Sequence, residues 1–189
     1  MQRTTNASDA GWRHALWLTV LVAASVAFTF GFACAVPFAA FGAATALTLN
    51  TRDALLLTVA IWLANQLVGF GFLAYPADAS AVSWSAVLGV VALLSTLAAR
   101  AVSTRMRSAR WIAVVVASFV AAFVVYEGSL YLVAAAWLGG SEDFAPSIVV
   151  EILELNAAAC IGLLVLNRLG ETMGLSASPS LRGAARLAP

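Results

Sequence analysis

Apolar residues run through this chain in stretches too long and too continuous to carry an ordinary amphipathic pattern. Four such stretches, at about 53–74, 82–99, 111–138 and 146–169, are separated by short polar or turn-forming segments. About 20 consecutive apolar residues cover the ~30 Å hydrocarbon core of a bilayer, so each stretch predicts a membrane-spanning α-helix. The separators carry their own signals. Tyr75-Pro76-Ala77-Asp78 is a turn, residues 100–110 hold four arginines, and Gly139-Gly140 stops a helix before Pro146 opens the next. A further apolar run over 15–30 follows Arg3 and Arg13. It exceeds the ~7–15 residues of a signal-peptide core and continues past Ala33-Cys34-Ala35, so it reads as an uncleaved helix.

Residues 14–49 admit two threadings. Either they cross twice, with a turn near 31–34 and a second helix carrying Pro37 in its first turn, or they form one tilted helix and a re-entrant piece. About 16 residues remain for the second helix of the first threading, roughly 24 Å at 1.5 Å each. A span that short is tolerated by local thinning or by burial in the bundle.

Charge decides between them. All ten basic residues are arginine: Arg3, Arg13, Arg52, Arg100, Arg105, Arg107, Arg110, Arg168, Arg182 and Arg186. Basic residues collect in cytoplasmic loops. Two crossings in 14–49 put all ten on one side, whereas one crossing leaves Arg3 and Arg13 on the other. The expectation is therefore an all-α polytopic membrane protein, a bundle of six transmembrane helices with both termini cytoplasmic. Residues 12–170 form the membrane domain, and 1–11 and 171–189 read as disordered cytoplasmic tails.

Composition agrees with this class and excludes others. Residues are 62% hydrophobic and 10% charged, against about 25% charged in a soluble domain. Cys34 and Cys160 give no disulfide framework and no CxxC site, and His14 is the sole histidine. No basic surface of the soluble nucleic-acid-binding kind is present. Neither HExxH, GxSxG nor a serine–histidine pairing occurs, so the chain reads as a non-enzyme with no intrinsic cofactor.

Polar groups inside a bilayer are costly and mark function. On the threading above they gather in the outer half. Glu127 lies deep in the fifth helix and needs a partner or a proton. Glu151 and Glu154 lie in the first two turns of the sixth, with Asn156 and Cys160 farther in. Asn65 and Gln66 lie in the outer half of the third. Tyr75, Trp84 and Tyr131 lie near the outer interface, and Cys34 at the outer turn. A second reading stands beside each of these. Glu151 meets headgroup water at a helix N-terminus. Asn65 and Gln66 join helices by hydrogen bonds. The aromatics form an interfacial belt, and the cysteines pack as small apolar residues. Taken as a site, the set offers carboxylates, amides and aromatics but no cation. It suits a neutral or cationic ligand and repels an anionic one.

Six short helices in under 200 residues, an outward polar pocket, and alanine pairs spaced by four (Ala23/Ala27, Ala39/Ala43, Ala40/Ala44) resemble the substrate-binding S components of energy-coupling factor (ECF) vitamin transporters. The stretches Phe32-Ala33-Cys34-Ala35-Val36-Pro37 and Asn65-Gln66-Leu67-Val68-Gly69-Phe70, with Tyr75-Pro76 after the latter, are similar to a solitary cobalamin-specific group within it. The resemblance covers 12–170 and is one of architecture. It implies vitamin uptake across a bacterial-type inner membrane, with cobalamin or a related corrinoid as leading substrate and thiamine-like compounds next. Cys34 would then ligate the substrate's cobalt, Asn65, Gln66, Glu127, Glu151, Glu154 and Asn156 would bind polar groups, and Tyr75, Trp84 and Tyr131 would stack on flat rings. No ATP-binding motif is present, so energy coupling would come from a membrane partner with ATPases. The alternatives are a proton- or cation-coupled carrier or small channel, with Glu127 and Glu154 as relay, and a non-transporting membrane scaffold.

Overall fold

The computed structural model describes residues 7–31 and 36–175. Among them are six α-helices: α1 Ala7–Gly31, α2 Phe38–Thr48, α3 Thr51–Gly71, α4 Ala79–Arg105, α5 Trp111–Val133 and α6 Pro146–Thr172. All except α2 are long and apolar enough to cross a membrane. The chain is a multi-pass, all-α membrane protein.

Local sequence explains the helix ends. Asn50 caps α3 by accepting from Asp53 N–H, and Asp78 caps α4 by accepting from Ala81 N–H. Pro146 starts α6, where its missing N–H costs nothing. Beyond α5 the chain makes a π-type turn over Ala134–Leu138. Gly139 and Gly140 then adopt φ of 80° and 87°, a region that side chains with a Cβ avoid, and helix propagation stops there.

Helix α2 is the centre of the architecture. Every one of its residues is buried. A helix that is apolar all round belongs inside a larger assembly, and the sequence of α2, FAAFGAATALT, is also small enough to let its neighbours come close. Phe41 meets Phe28 of α1 edge-on at 6.2 Å between ring centroids. At Gly42 a Cβ would stand 3.1–3.3 Å from Thr96, so the α4 backbone rests directly on the α2 surface. The helices around it are tied by short polar contacts. Thr58 and Thr96 lie 3.0 Å apart, Ser95 donates to Ala122 O at 2.9 Å, and Trp62 Nε1–H donates to Ser85 O at 2.8 Å.

Contacts at one end of the bundle fix the topology. His14 Nε2 lies 3.0 Å from Asp53 Oδ2, joining the start of α1 to the start of α3. The Trp17 ring sits on Gly170, joining the start of α1 to the end of α6. Arg100, near the end of α4, reaches the last carbonyls of α2. The chain thus leaves this face along α1 and is back on it at Asn50, so residues 14–49 cross and return. Arg13, Arg52, Arg100, Arg105, Arg107, Arg110 and Arg168 all belong to this face, which the positive-inside rule makes cytoplasmic. A thiol introduced at Gly11→Cys, with Cys34 and Cys160 replaced by serine, is expected to react with an impermeant reagent only from the side opposite to Asp78→Cys. Reaction of both from one side would break the threading.

Four sequence expectations need adjusting. The returning helix has 11 residues, about 16 Å, instead of 16 residues. Pro37 precedes it as N-cap and does not sit in its first turn. Val36 and Pro37, directly before it, are non-helical and buried in protein, the condition for irregular backbone at membrane depth. Arg100 belongs to α4, which runs on to Arg105, and not to a loop. Helix α1 begins at Ala7, inside the segment expected to be a tail. The expected turn at 32–34, with Cys34, lies outside the described residues.

Candidate functional site

The N-terminus of α2 ends in the middle of the bundle and must find partners there. Phe38 N–H donates to Val36 O at 2.8 Å. Pro37 offers no side-chain cap. Asn156 of α6 supplies one in its place: its Oδ1 accepts from Ala40 N–H at 3.1 Å, while its Nδ2 donates to Ile152 O at 2.9 Å. The amide is 2% exposed. A free N–H in a helix's first turn is an unmet donor, and here a residue 116 positions away in sequence satisfies it.

Helix α5 brings a second polar group to the same level. The Tyr126 ring lies 6.1 Å from the ring of Phe38, the first residue of α2. Glu127 follows it, 8% exposed, and its Oε2 has no hydrogen-bond partner among the described residues. Glu127 stands sixteen residues from the cytoplasmic start of α5, and Asn156 sixteen from the cytoplasmic end of α6. Both are therefore about 24 Å along their helices from that face. A buried carboxyl with one unpartnered oxygen, a capped helix N-terminus and aromatic rings thus share one level of the bundle. Chemically this arrangement accepts hydrogen bonds or positive charge.

The opposite end of α2 is closed by Arg100. Its Nη1 donates to Ala46 O at 2.7 Å and Leu49 O at 2.9 Å. A guanidinium on the last carbonyls of a helix meets both the unpaired acceptors and the negative end of the dipole. In the sequence Arg100 reads only as a marker of topology. Its one visible signal was position, directly after an unbroken apolar run. Nearby, a cavity of about 10 Å³ between α1, α2 and α6 is lined by Thr45, Thr48 and Asn167 among apolar neighbours, room for about one water.

The remaining candidates separate into two groups. Asn65 Oδ1 accepts from Thr29 Oγ1 at 3.4 Å, linking α3 to α1, and Gln66 Oε1 accepts from Ser85 Oγ at 2.6 Å, linking α3 to α4. Trp84 is half-buried against the core. These three hold helices together. Tyr75 lies over Gly69 and meets Phe70 edge-on at 6.4 Å, and Tyr131 meets Phe144 at 5.6 Å, both near the outer end and partly exposed. Glu151 and Glu154 are exposed, whereas Glu127 is buried. Asn156, Cys160, Leu163, Asn167 and Gly170 form the buried face of α6. At 100° per residue, positions two and five before Asn156 fall on the opposite side. The bond to Ala40 N–H sets that rotation.

The chain matched no protein-family model, no curated protein and no solved structure with which it was compared.

Proposed function

We propose that this protein is a membrane transport protein that captures a small neutral or cationic molecule at the level of Glu127, reached from the outer side of a bacterial-type inner membrane. The observation carrying this reading is the buried Glu127 carboxyl, one oxygen of which lacks a partner among the described residues, one position after Tyr126, whose ring meets the first residue of α2. Interrupted membrane segments of this kind mark binding sites in transporters, and intramembrane carboxyls mark ligand or ion paths. Six helices of this arrangement also agree with the resemblance to ECF S components. Within that class a corrinoid is the leading substrate and a thiamine-like cation the next, with coupling through a membrane partner and its ATPases. Cys34 is the proposed cobalt ligand for a corrinoid, since soft sulfur suits that metal.

Equilibrium binding to the purified, detergent-solubilised chain tests the reading with three probes: cobalamin, thiamine and biotin. Cobalamin or thiamine is expected to bind and biotin, an anion, to be excluded. Biotin binding as tightly as either would overturn the site, and binding of none of the three would remove the vitamin class. For cobalamin, Cys34→Ser is expected to abolish the change in visible absorption on binding while Cys160→Ser leaves it intact.

The same unpartnered oxygen favours a second reading, a proton- or cation-coupled carrier with Glu127 as relay. Flux driven by a pH gradient in ligand-free proteoliposomes, lost in Glu127→Gln, would support it over capture.

A further inference from the structure

The turn between α4 and α5 concentrates positive charge that no ion pair among the described residues neutralises. Arg105 ends α4, Arg107 lies in the turn, and Arg110 is the N-cap of α5. The turn is tight, with Ala109 N–H donating to Met106 O at 2.9 Å, and all three side chains are exposed. The sequence has no carboxylate between Asp78 and Glu127. Two carboxylates of the cytoplasmic face, Asp53 and Glu171, are already engaged. Asp53 is held by His14 at 3.0 Å and by Asn50 at 2.7 Å. Glu171 is held by Arg168 at 3.3 Å and by Asn167 at 3.0 Å. Arg105, Arg107 and Arg110 make no ion pair among the described residues, and Arg107 acts electrostatically on Arg100 as well, so the patch repels itself. The positive-inside rule accounts for the side on which these arginines lie. It does not account for three of them within six residues and without an acid, while neighbouring acids are paired elsewhere.

The surface next to the patch is apolar. Trp111 and Ile112, in the first turn of α5, are 39% and 75% exposed, and Val116 one turn deeper is 55% exposed. Guanidinium forks match phosphate oxygens, and at this height they meet the headgroup layer. We propose that the α4–α5 turn is a binding site for an anionic phospholipid. Arg105, Arg107 and Arg110 hold its phosphodiester, and its acyl chains lie along Trp111, Ile112 and Val116. A free phosphate has no use for the apolar part, so the lipid is the occupant.

Native mass spectrometry of the delipidated full chain tests this, with phosphatidylglycerol, phosphatidylcholine and inorganic phosphate as probes. Each basic residue near an anionic surface adds a roughly fivefold preference, and three together on the order of 100-fold. Phosphatidylglycerol is therefore expected to bind in preference to phosphatidylcholine by about that factor. The triple change Arg105→Gln/Arg107→Gln/Arg110→Gln should remove the preference, and Arg107→Gln alone should reduce it about fivefold. The corresponding triple lysine variant keeps the charge and the topology and should retain most of it, which separates lipid binding from failed insertion. No preference in the wild type, an unchanged preference in Arg107→Gln, or displacement of the lipid by millimolar inorganic phosphate would overturn the proposal.

Discussion

Glu127→Gln is expected to weaken binding of a cationic ligand by at least about 30-fold while the protein inserts and purifies normally. The carboxyl is buried, and one of its oxygens is unmatched by any described group. A ligand that brings positive charge to it gains an interaction that glutamine cannot replace. Removing one member of a buried charge pair costs about 2–5 kcal/mol, and 2 kcal/mol is about 30-fold in affinity. Fold stability should not fall, because the substitution keeps the shape and removes a group that is costly at this depth. For a neutral ligand that only donates a hydrogen bond, the amide oxygen still accepts, so the loss should be several-fold smaller; Glu127→Leu would then be needed to abolish binding. Isothermal titration of the wild type and both variants reads this directly. Equal affinity for all three would remove Glu127 from the site.

Arg100→Met is expected to be the most damaging single change to the fold. The side chain volume is retained, but the donors to Ala46 O and Leu49 O are lost. Hydrogen bonds from a charged group contribute about 1.5–3 kcal/mol each, and carbonyls left unpaired in a buried setting add to the loss. A destabilisation of about 3 kcal/mol or more should follow, seen as a lower Tm and faster inactivation in detergent. Arg100→Lys supplies a single point donor in place of a planar fork and should recover only part of it. A Tm for Arg100→Met within a degree of wild type would show that α2 is held by packing alone.

The sequence made the large features legible through two crude signals. Unbroken apolar length located α1, α3, α4, α5 and α6, and the arginines oriented them, because bilayer thickness and charge asymmetry act on any span whatever it packs against. Helix α2 was harder to read. Its composition identifies it as buried, but a segment apolar all round carries no periodic mark of where helix begins, so its half-length was hidden. The candidate site divided for a related reason. Glu154 and Asn156 lie two residues apart, and only one can face inward. Which one does is set by the unmet N–H of Ala40, a partner 116 residues earlier that local sequence cannot reveal. Asn65 and Gln66 likewise look the same in sequence whether they bind a ligand or a neighbouring helix. In the structure they accept from the hydroxyls of Thr29 and Ser85.

The enclosed position of α2 also constrains how the protein is made. Its 11 residues emerge from the ribosome early, yet Arg100 lies about fifty residues downstream of the carbonyls it meets, and Asn156 lies 116 residues beyond Ala40. Until α6 has been synthesised, the head of α2 has no cap from that helix. The early third of the chain must therefore wait, half-assembled, for its last helix, and contacts of such long range delay folding. A nascent chain halted after residue 140 should leave residues 36–49 open to protease, or to a thiol reagent at an introduced Ala43→Cys. Extending it past residue 170 should close them in a single late step.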